Sequence, residues 1–224
     1  AQYCQEIMKA QPEEVLFVAP SDHIVRQRDL FIKALRQGEK LAQQDKLVTF
    51  GIVPDKPETG YGYIEAGESY ESGFVVNSFK EKPDLATAET YVASGKYYWN
   101  SGMFAFTAEH MKQALQVYQP EISDLLQDGY KKALDVFAEM PDISIDYAVA
   151  EKSKQVVTVP LTAYWNDIGS WDAIYDVLDK DEDGNAVKGD CLPIDCRNSL
   201  MLGRSRLIAG IGLEDLLVVE TADA

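Results

Sequence analysis

The strongest constraint on the fold is the alternation of short apolar runs with helical patterns along residues 1–180. Val15–Ala19 is a continuous apolar run, typical of a strand buried on both faces. Leu47–Val53 and Gly73–Lys80 are further strand-like runs, and Phe31–Ala42 carries apolar residues at helical spacing. This alternation predicts an α/β fold in which helices cover a sheet.

Further along the chain, single residues mark where helices begin and end. A helix is predicted over Leu85–Ala93 and ends at Gly95, because glycine readily adopts the conformation that stops a helix. Tyr97–Phe106 is strand-like, and Thr107 can cap the helix that follows. His110 falls on that amphipathic helix, so we expect it at the surface or at the core boundary.

The sequence pattern changes after residue 180. Asp179–Asn185 is predicted to be a charged connecting turn and not a calcium-binding loop, because Pro193 stands where the exiting helix would run. Short strand-like pieces follow, without a helical period. The sequence therefore predicts a main α/β domain over residues 1–180 and a β-rich tail over residues 181–224, the start of a linker or β-domain.

Composition excludes several classes of function. The net charge of −16 disfavours nucleic acids and anionic membranes as partners. No apolar run reaches the roughly 18 residues of a membrane span, and no signal-peptide pattern is visible. Three cysteines, without metal-type spacing, are typical of a reducing compartment, so we expect a cytoplasmic protein.

The segment Thr59-Gly60-Tyr61-Gly62 alternates glycine with larger residues, which weakens a strand and packs poorly. In an extended chain Gly60 and Gly62 share one face, so a ligand such as a sugar could lie against bare peptide groups there. The alternative is an edge strand with a glycine bulge.

Two aspartates follow predicted strands. Asp22 comes after the run Val15–Ala19, and Asp167 follows the strand predicted over Gln155–Pro160. Ligands of α/β sheets bind beyond the carboxyl ends of strands, and Mg²⁺ prefers one or two carboxylates plus water and phosphates. The two aspartates together suit Mg²⁺, although each alone could equally be a loop or helix-capping residue.

Three further segments carry polar groups that suit a sugar phosphate. Glu81 can accept hydrogen bonds from hydroxyls and Lys82 can neutralise a phosphate, although this pair could also be a surface ion pair. Asn100 lies among aromatic residues and needs a polar partner. Asp146 lies on a predicted short helix capped by Ser144, where it could also be an ordinary surface acid.

In this order and with these gaps, seven segments resemble the sugar-nucleotidyltransferase family. Within it they are most similar to the bacterial mannose-1-phosphate guanylyltransferases that are often fused to a phosphomannose isomerase domain. The segments are Ala19–His23, Phe50–Ile52, Pro57–Glu65, Glu81–Pro83, Trp99–Phe104, Ser144–Lys152 and Trp165–Trp171. The similarity continues into the tail and covers nearly the whole chain.

The resemblance implies a Rossmann-like three-layer α/β/α nucleotidyltransferase domain, commonly a homodimer, that serves polysaccharide biosynthesis. Its reaction would form GDP-mannose and pyrophosphate from GTP and mannose 1-phosphate. By family likeness Asp22 and Asp167 hold Mg²⁺, and Lys82 faces the sugar phosphate and completes the catalytic set. The mannose pocket would comprise Thr59, Gly60, Tyr61, Gly62, Glu81, Lys82, Asn100, Ser101, Gly102 and Asp146.

One departure from the family pattern is large. The Gly-x-Gly-x-x-Arg loop that cradles the nucleotide phosphates occurs nowhere in the chain, and we expect it to precede Ala1; the nearest basic glycine segment, Gly203–Arg206, lies in the β-rich tail. The chain alone is therefore predicted to have little transferase activity. The alternatives are a nucleotidyltransferase for another sugar 1-phosphate and a non-catalytic sugar-phosphate-binding subunit.

Overall fold

The computed structural model describes residues 5–6, 9 and 11–223. The strands are β1 Val15–Val18, β2 Ile24–Val25, β3 Leu47–Ile52, β4 Gly62–Tyr70, β5 Gly73–Glu81, β6 Tyr97–Thr107, β7 Val156–Leu161, β8 Trp165–Asn166, β9 Ala186–Lys188, β10 Cys191–Ile194, β11 Leu200–Leu202, β12 Ile208–Ile211 and β13 Leu217–Val219. The α-helices are α1 Arg28–Ala42, α2 Leu85–Ser94, α3 Ala108–Tyr118, α4 Pro120–Leu126, α5 Tyr130–Asp135 and α6 Trp171–Val177. A 3₁₀ turn spans Phe137–Glu139 and a π-helical turn spans Asp146–Ala150.

A mixed sheet organises the described part of the chain up to Trp165. Its strand order is β1-β6-β3-β7-β5-β4, and β4 pairs with β6 as well. The parallel pair is β3 with β7, in register from Leu47 opposite Val156, whereas β6 lies antiparallel to β3. All six residues of β3 are buried. This strand is therefore the centre of the sheet, as its apolar sequence predicts.

Helices cover both faces of this sheet. Because side chains of a strand alternate between faces, Val48 and Phe50 of β3 join one buried cluster and Leu47 joins the other. The first cluster contains Leu41 of α1, and the second contains Met111 of α3. The predicted α/β fold with a central sheet between helices is confirmed.

The first strand corrects one expectation. Val15–Ala19 was expected to be buried on both faces, but β1 pairs with β6 at the end of the strand order. Phe17 and Val18 are 41% and 48% exposed. The apolar run correctly indicates a strand, whereas its burial depends on neighbours that the run itself does not encode.

Two helix ends were predicted correctly from the sequence. Thr107 accepts a hydrogen bond from the backbone N–H of His110 at 3.1 Å and caps α3. Gly95 ends α2 with a φ of 65°, in the left-handed region that glycine adopts easily. The expected Ser144 cap was wrong, because no side chain caps the π-helical turn.

The tail is built from short parallel strands that stack as a solenoid. Leu200 of β11 lies between Ala186 of β9 and Leu217 of β13, all parallel. On a second side, β10 pairs in parallel with β12. The buried side-chain amide of Asn185 connects successive turns of the tail, because it donates to the Cys196 carbonyl and accepts from the Ser199 N–H. The predicted β character of the tail is confirmed.

The basic segment Gly203–Arg206 surrounds a carboxylate. Glu220, 6% exposed, accepts hydrogen bonds from the backbone N–H groups of Arg204, Ser205 and Arg206. It also accepts from the Ser205 hydroxyl at 2.6 Å and the Arg206 Nε at 3.0 Å. These bonds, with Ser205 contributing most, hold the pKa of Glu220 far below its usual range. The segment therefore folds around the protein's own anion.

Two compact units are distinguished by their internal contacts. One comprises the chain up to Ser21 with Val25–Trp165, and the other comprises Asp22–Ile24 with the chain from Asn166 onward. The domain boundary predicted after residue 180 stays a prediction. Among the residues that the structure describes, no helix is both long and apolar enough to cross a membrane.

His110 is buried, which contradicts the position predicted for it at the surface or at the core boundary. The side chain is 4% exposed, and its Nε2 has no hydrogen-bond partner among the described residues. Burial, opposed in part by Asp45, lowers the pKa of His110 below its ordinary value of 6.5. A buried, neutral histidine penalises protonation of the folded state.

This burial predicts a pH-dependent stability. Below about pH 6.5 the unfolded chain binds a proton at His110 that the folded chain resists. The free energy of unfolding therefore decreases as the pH is lowered, by up to about 1.4 kcal/mol per pH unit. The loss ends at the folded-state pKa. We expect His110→Leu to remove this slope in urea unfolding measured between pH 7.5 and 5.

His23→Gln, which alters the chain's other histidine, is the control and should retain the slope. Equal slopes in the wild-type and His110→Leu proteins would contradict the burial of an uncharged His110.

Candidate functional site

Glu81 and Lys82 lie where β5 ends. The Lys82 backbone has a φ of 44°, which is strained for a residue with a side chain. Its N–H donates to the Tyr61 carbonyl at 3.2 Å. The Lys82 side chain is 66% exposed, with Nζ 4.0 Å from Glu81 Oε1. The strand end therefore presents a half-buried carboxylate beside an accessible ammonium.

Asn100 links β6 to the π-helical turn. Its Nδ2 donates to Asp146 Oδ1 at 2.8 Å. Its Oδ1 accepts from the Thr49 hydroxyl at 3.3 Å and from the Gly102 N–H at 3.2 Å. The expectation that Asn100 requires polar partners is confirmed, and these partners bring Asp146 of the π-helical turn to the sheet. π-helical turns are frequent at functional sites.

The Glu81 carboxyl group lies in a partly buried, acidic environment. Burial raises the pKa of Glu81, with the charges of Asp146 and Glu151 adding to the rise and Lys82 opposing it. Burial deprives the ionised carboxylate of water, so hydrogen bonds donated by a ligand, such as those of hydroxyls, would stabilise its charged form. The arrangement of these acceptors suits the hydroxyl groups of a ligand.

The glycine segment differs from its predicted geometry. β4 begins only at Gly62, so Gly60 does not share a strand face with it. A Cβ at Gly62 would clash with the Glu81 carboxylate and lie 3.5 Å from the Cβ of Asn100. The missing side chain at Gly62 therefore makes room for Glu81, which pairs with it across β4 and β5. The bare backbone face expected for a ligand is occupied there by the protein itself.

The residues before Gly62 are also engaged within the protein. Glu58 accepts hydrogen bonds from the Thr59 and Gly60 N–H groups at 3.1 and 3.3 Å. The Tyr61 ring packs edge-on against Trp99 and Trp165, with centroids 5.1 and 5.3 Å apart. Thr59 and Gly60 remain exposed, and a Cβ at Gly60 would meet Glu58 Oε1 at 3.6 Å, an ordinary van der Waals contact. Contacts of these residues with substrate stay predictions.

Ser101 and Gly102 differ in accessibility. Ser101 is 1% exposed and its hydroxyl donates to the Phe50 carbonyl at 2.6 Å, so that side chain holds β6 to β3. Gly102 has a φ of 69°, which glycine adopts without strain, and this turns its N–H toward Asn100. A substrate contact by Ser101 stays a prediction, with its hydroxyl already committed.

Asp22 and Asp167 belong to the same compact unit. The Asp22 side chain is 80% exposed, with Oδ1 3.9 Å from His23 Nε2. Asp167 directly follows β8, and its Oδ1 accepts from the Gly169 N–H at 3.2 Å. Ile168, which lies between Asp167 and Gly169 in the chain, has a φ of 54°, so the backbone next to the Asp167 carboxylate is strained. Across residues 5–6, 9 and 11–223, no group of three or more His, Cys, Asp or Glu side chains could hold a metal ion.

Two residues near Asn100 and Asp146 were not predicted from the sequence to belong to the site. Thr49 is fully buried in β3, where a threonine is an ordinary strand residue, so nothing in the sequence singles it out. Tyr147 follows Asp146; desolvation, then the charges of Glu81, Glu151 and Asp146, raises the pKa of its phenol. Its position beside a candidate acid was the available signal.

Comparisons with known proteins identify the family of the chain. Residues 2–184 match the family model described as nucleotidyl transferase. The chain is 50% identical to the xanthan biosynthesis protein XanB of Xanthomonas campestris pv. campestris (strain B100), covering 95% of the chain and 47% of that protein. It is 42% identical to the mannose-1-phosphate guanylyltransferase of Salmonella montevideo, covering 94% of the chain and 48% of that protein.

Among solved structures, the chain is similar to one titled mannose-1-phosphate geranyltransferase, from Thermus thermophilus. The TM-score is 0.89 at 31% identity, over 100% of this chain and 67% of that one. The chain spans about half the length of the curated relatives it matches.

The packing of Glu81 on Gly62 generates a test. Gly62→Ala should leave the sheet intact, because the clashing atom is the end of a flexible side chain, but it should push the Glu81 carboxylate out of its desolvated position. We expect the pKa of Glu81, followed by carboxyl NMR titration, to fall toward its ordinary value. Gly67→Ala is a matched control on the same strand, because its Cβ would clash with the Asn77 side chain instead. An unchanged Glu81 titration in Gly62→Ala would contradict the geometry.

Proposed function

Because the chain belongs to the nucleotidyl transferase family, we propose that it binds mannose 1-phosphate and presents it for reaction with GTP. The reaction would form GDP-mannose and release pyrophosphate. Support comes from the relative in Salmonella montevideo, which is named mannose-1-phosphate guanylyltransferase. The relative named for xanthan biosynthesis supports a role in making polysaccharide precursors.

The observation that carries the proposal is the juxtaposition of Glu81, Asn100 and Asp146 with Lys82. The two carboxylates accept hydrogen bonds and the amide donates them, which suits sugar hydroxyls. The Lys82 ammonium, exposed beside them, suits a phosphate attached to the same sugar. A sugar phosphate has both parts.

The chemistry requires placement and charge neutralisation. An oxygen of the sugar phosphate forms a bond to the α-phosphorus of GTP, while the bond from that phosphorus to the bridging oxygen of the β-phosphate breaks. Both the nucleophile and the leaving pyrophosphate are anionic, so the protein has to align them and offset their repulsion. Lys82 would neutralise the attacking phosphate, and the carboxylate–amide cluster would orient the sugar.

A divalent metal is the expected cofactor, and we infer Mg²⁺ held by Asp22 and Asp167. Their donor set fits, because carboxylate oxygens are the ligands Mg²⁺ prefers, and the exposure of Asp22 leaves room for water and phosphate. When bound, Mg²⁺ would neutralise negative charge on phosphate oxygens. The Asp167 turn, held by its bond to Gly169, would fix one carboxylate in place.

The nucleotide side of the reaction lacks a visible cradle in this sequence. No Gly-x-Gly-x-x-Arg segment occurs in the 224 residues, and Gly203–Arg206 encloses Glu220 instead. We therefore expect this chain alone to bind the sugar phosphate without forming GDP-mannose at a normal rate. A cytoplasmic location and a homodimeric state complete the proposal.

Calorimetry with mannose 1-phosphate tests the function. The wild-type chain should bind it, and Lys82→Met should weaken binding about tenfold, the cost of one charge-assisted hydrogen bond. Lys80→Met, which removes an exposed lysine of β5 two residues before Lys82, is the matched control and should bind as the wild type does.

Tighter binding of glucose 1-phosphate would favour a transferase for another sugar. Binding of mannose 1-phosphate with no effect of GTP and Mg²⁺ would favour a sugar-phosphate-binding subunit, and no binding of any sugar phosphate would refute the proposal.

The metal role is tested in a longer protein that carries this chain together with a phosphate-cradling segment. Asp167→Asn should abolish Mg²⁺-dependent turnover while the thermal midpoint stays within a few degrees, because asparagine can still accept the bond from Gly169. Asp172→Asn, nearby at the start of α6, should keep turnover. Full activity of Asp167→Asn at saturating Mg²⁺ would remove Asp167 from the metal site.

A further inference from the structure

We propose that Thr49 is a positioning residue, which fixes the amide of Asn100 so that it meets the ligand as a hydrogen-bond donor. The inference rests on the proposed sugar-phosphate site and deepens it. Thr49 lies in the central strand β3 and is fully buried. A buried hydroxyl stabilises the fold only when it is hydrogen-bonded, and the partner of Thr49 is the Asn100 Oδ1 at 3.3 Å.

A register shift between β3 and β6 brings the two side chains together. Thr49 lies opposite Phe104, whereas Gly51 lies opposite Asn100, with the irregularity between them. Bulges of this kind re-aim side chains and are common next to functional sites. The shift lets the hydroxyl of Thr49 reach across to the amide of Asn100.

The hydrogen-bond network determines which way the Asn100 amide points. The Gly102 N–H, 3.2 Å away, can only donate, so the atom facing it must be the amide oxygen. The nitrogen then faces Asp146 Oδ1 at 2.8 Å. The reverse orientation would set oxygen against carboxylate and N–H against N–H. In the orientation that Gly102 and Asp146 set, the Thr49 hydroxyl donates to the amide oxygen and holds the amide plane in place.

This orientation limits what Asn100 can offer a ligand. Both lone pairs of its oxygen are used, by Thr49 and Gly102, and one of its two N–H hydrogens is used by Asp146. Within the described part of the chain, the second hydrogen is what Asn100 has left. The amide donates where Glu81 and Asp146 accept, so the site suits a group that does both, as a hydroxyl does.

Thr49→Val tests the proposal, because valine keeps the shape and removes the hydroxyl. We expect the Asn100 side-chain amide signals in a ¹⁵N NMR spectrum, assigned by their loss in Asn100→Ala, to shift or broaden. We also expect the affinity for mannose 1-phosphate to fall about five- to tenfold, the effect of one lost hydrogen bond. Thr49→Ser, which restores the donor, should recover both within about twofold.

Thr158→Val is a matched control. Thr158 lies directly opposite Thr49 in the β3–β7 pair and is equally buried. Its hydroxyl has no hydrogen-bond partner among the described residues. Removing it should leave the Asn100 signals and the affinity unchanged, and should cost no stability.

The outcomes separate the two proposals. Unchanged Asn100 signals in Thr49→Val would overturn the role of Thr49, whatever happens to affinity, and so would failure of Thr49→Ser to rescue. If the wild type binds no mannose 1-phosphate, the proposed function fails, and the amide signals still decide whether Thr49 holds Asn100. If Thr49→Val does not fold, Thr49→Ala takes its place with the same criteria.

Discussion

The burial of β3 is the constraint on which the rest of the main unit depends. A strand without solvent contact must satisfy every backbone N–H and C=O group through neighbouring strands, and β3 does so with β6 on one side and β7 on the other. Its side chains must then pack against the helices on both faces of the sheet. Val48 and Phe50 do so on one face and Leu47 on the other. Thr49, a buried polar residue of this strand, donates its hydroxyl to the Asn100 side chain.

The site combines polar groups whose neighbours determine what they can do. Asn100 is oriented by Thr49, Gly102 and Asp146, and Glu81 lies in the space that Gly62 leaves open. The chain is strongly acidic, so an anionic substrate has to be attracted by placed cations and not by overall charge. Lys82, held in a strained backbone beside a carboxylate that is costly to ionise, is the cation we propose for this role.

Features governed by local chemistry could be predicted from the sequence. The caps at Thr107 and Gly95 follow from side-chain and backbone preferences of single residues, and the strands follow from apolar runs. Features governed by distant neighbours could not. The exposure of β1, the burial of His110 and the filling of the space at Gly62 each depend on which segments pack against them. The pairing of Thr49 with Asn100 depends on a register shift, which has no signature in either strand alone.

The parallel pairing of β3 with β7 also bears on how the chain folds during synthesis. β6 emerges before β7, and the sheet cannot close around β3 until β7 follows it by about a hundred residues. Over that interval an apolar strand has one edge without its native neighbour. Folding of this unit therefore completes late, after Leu161 has left the ribosome. A slowly translated or prematurely terminated chain would expose this strand, which is fully buried in the folded protein, to chaperones and to other chains.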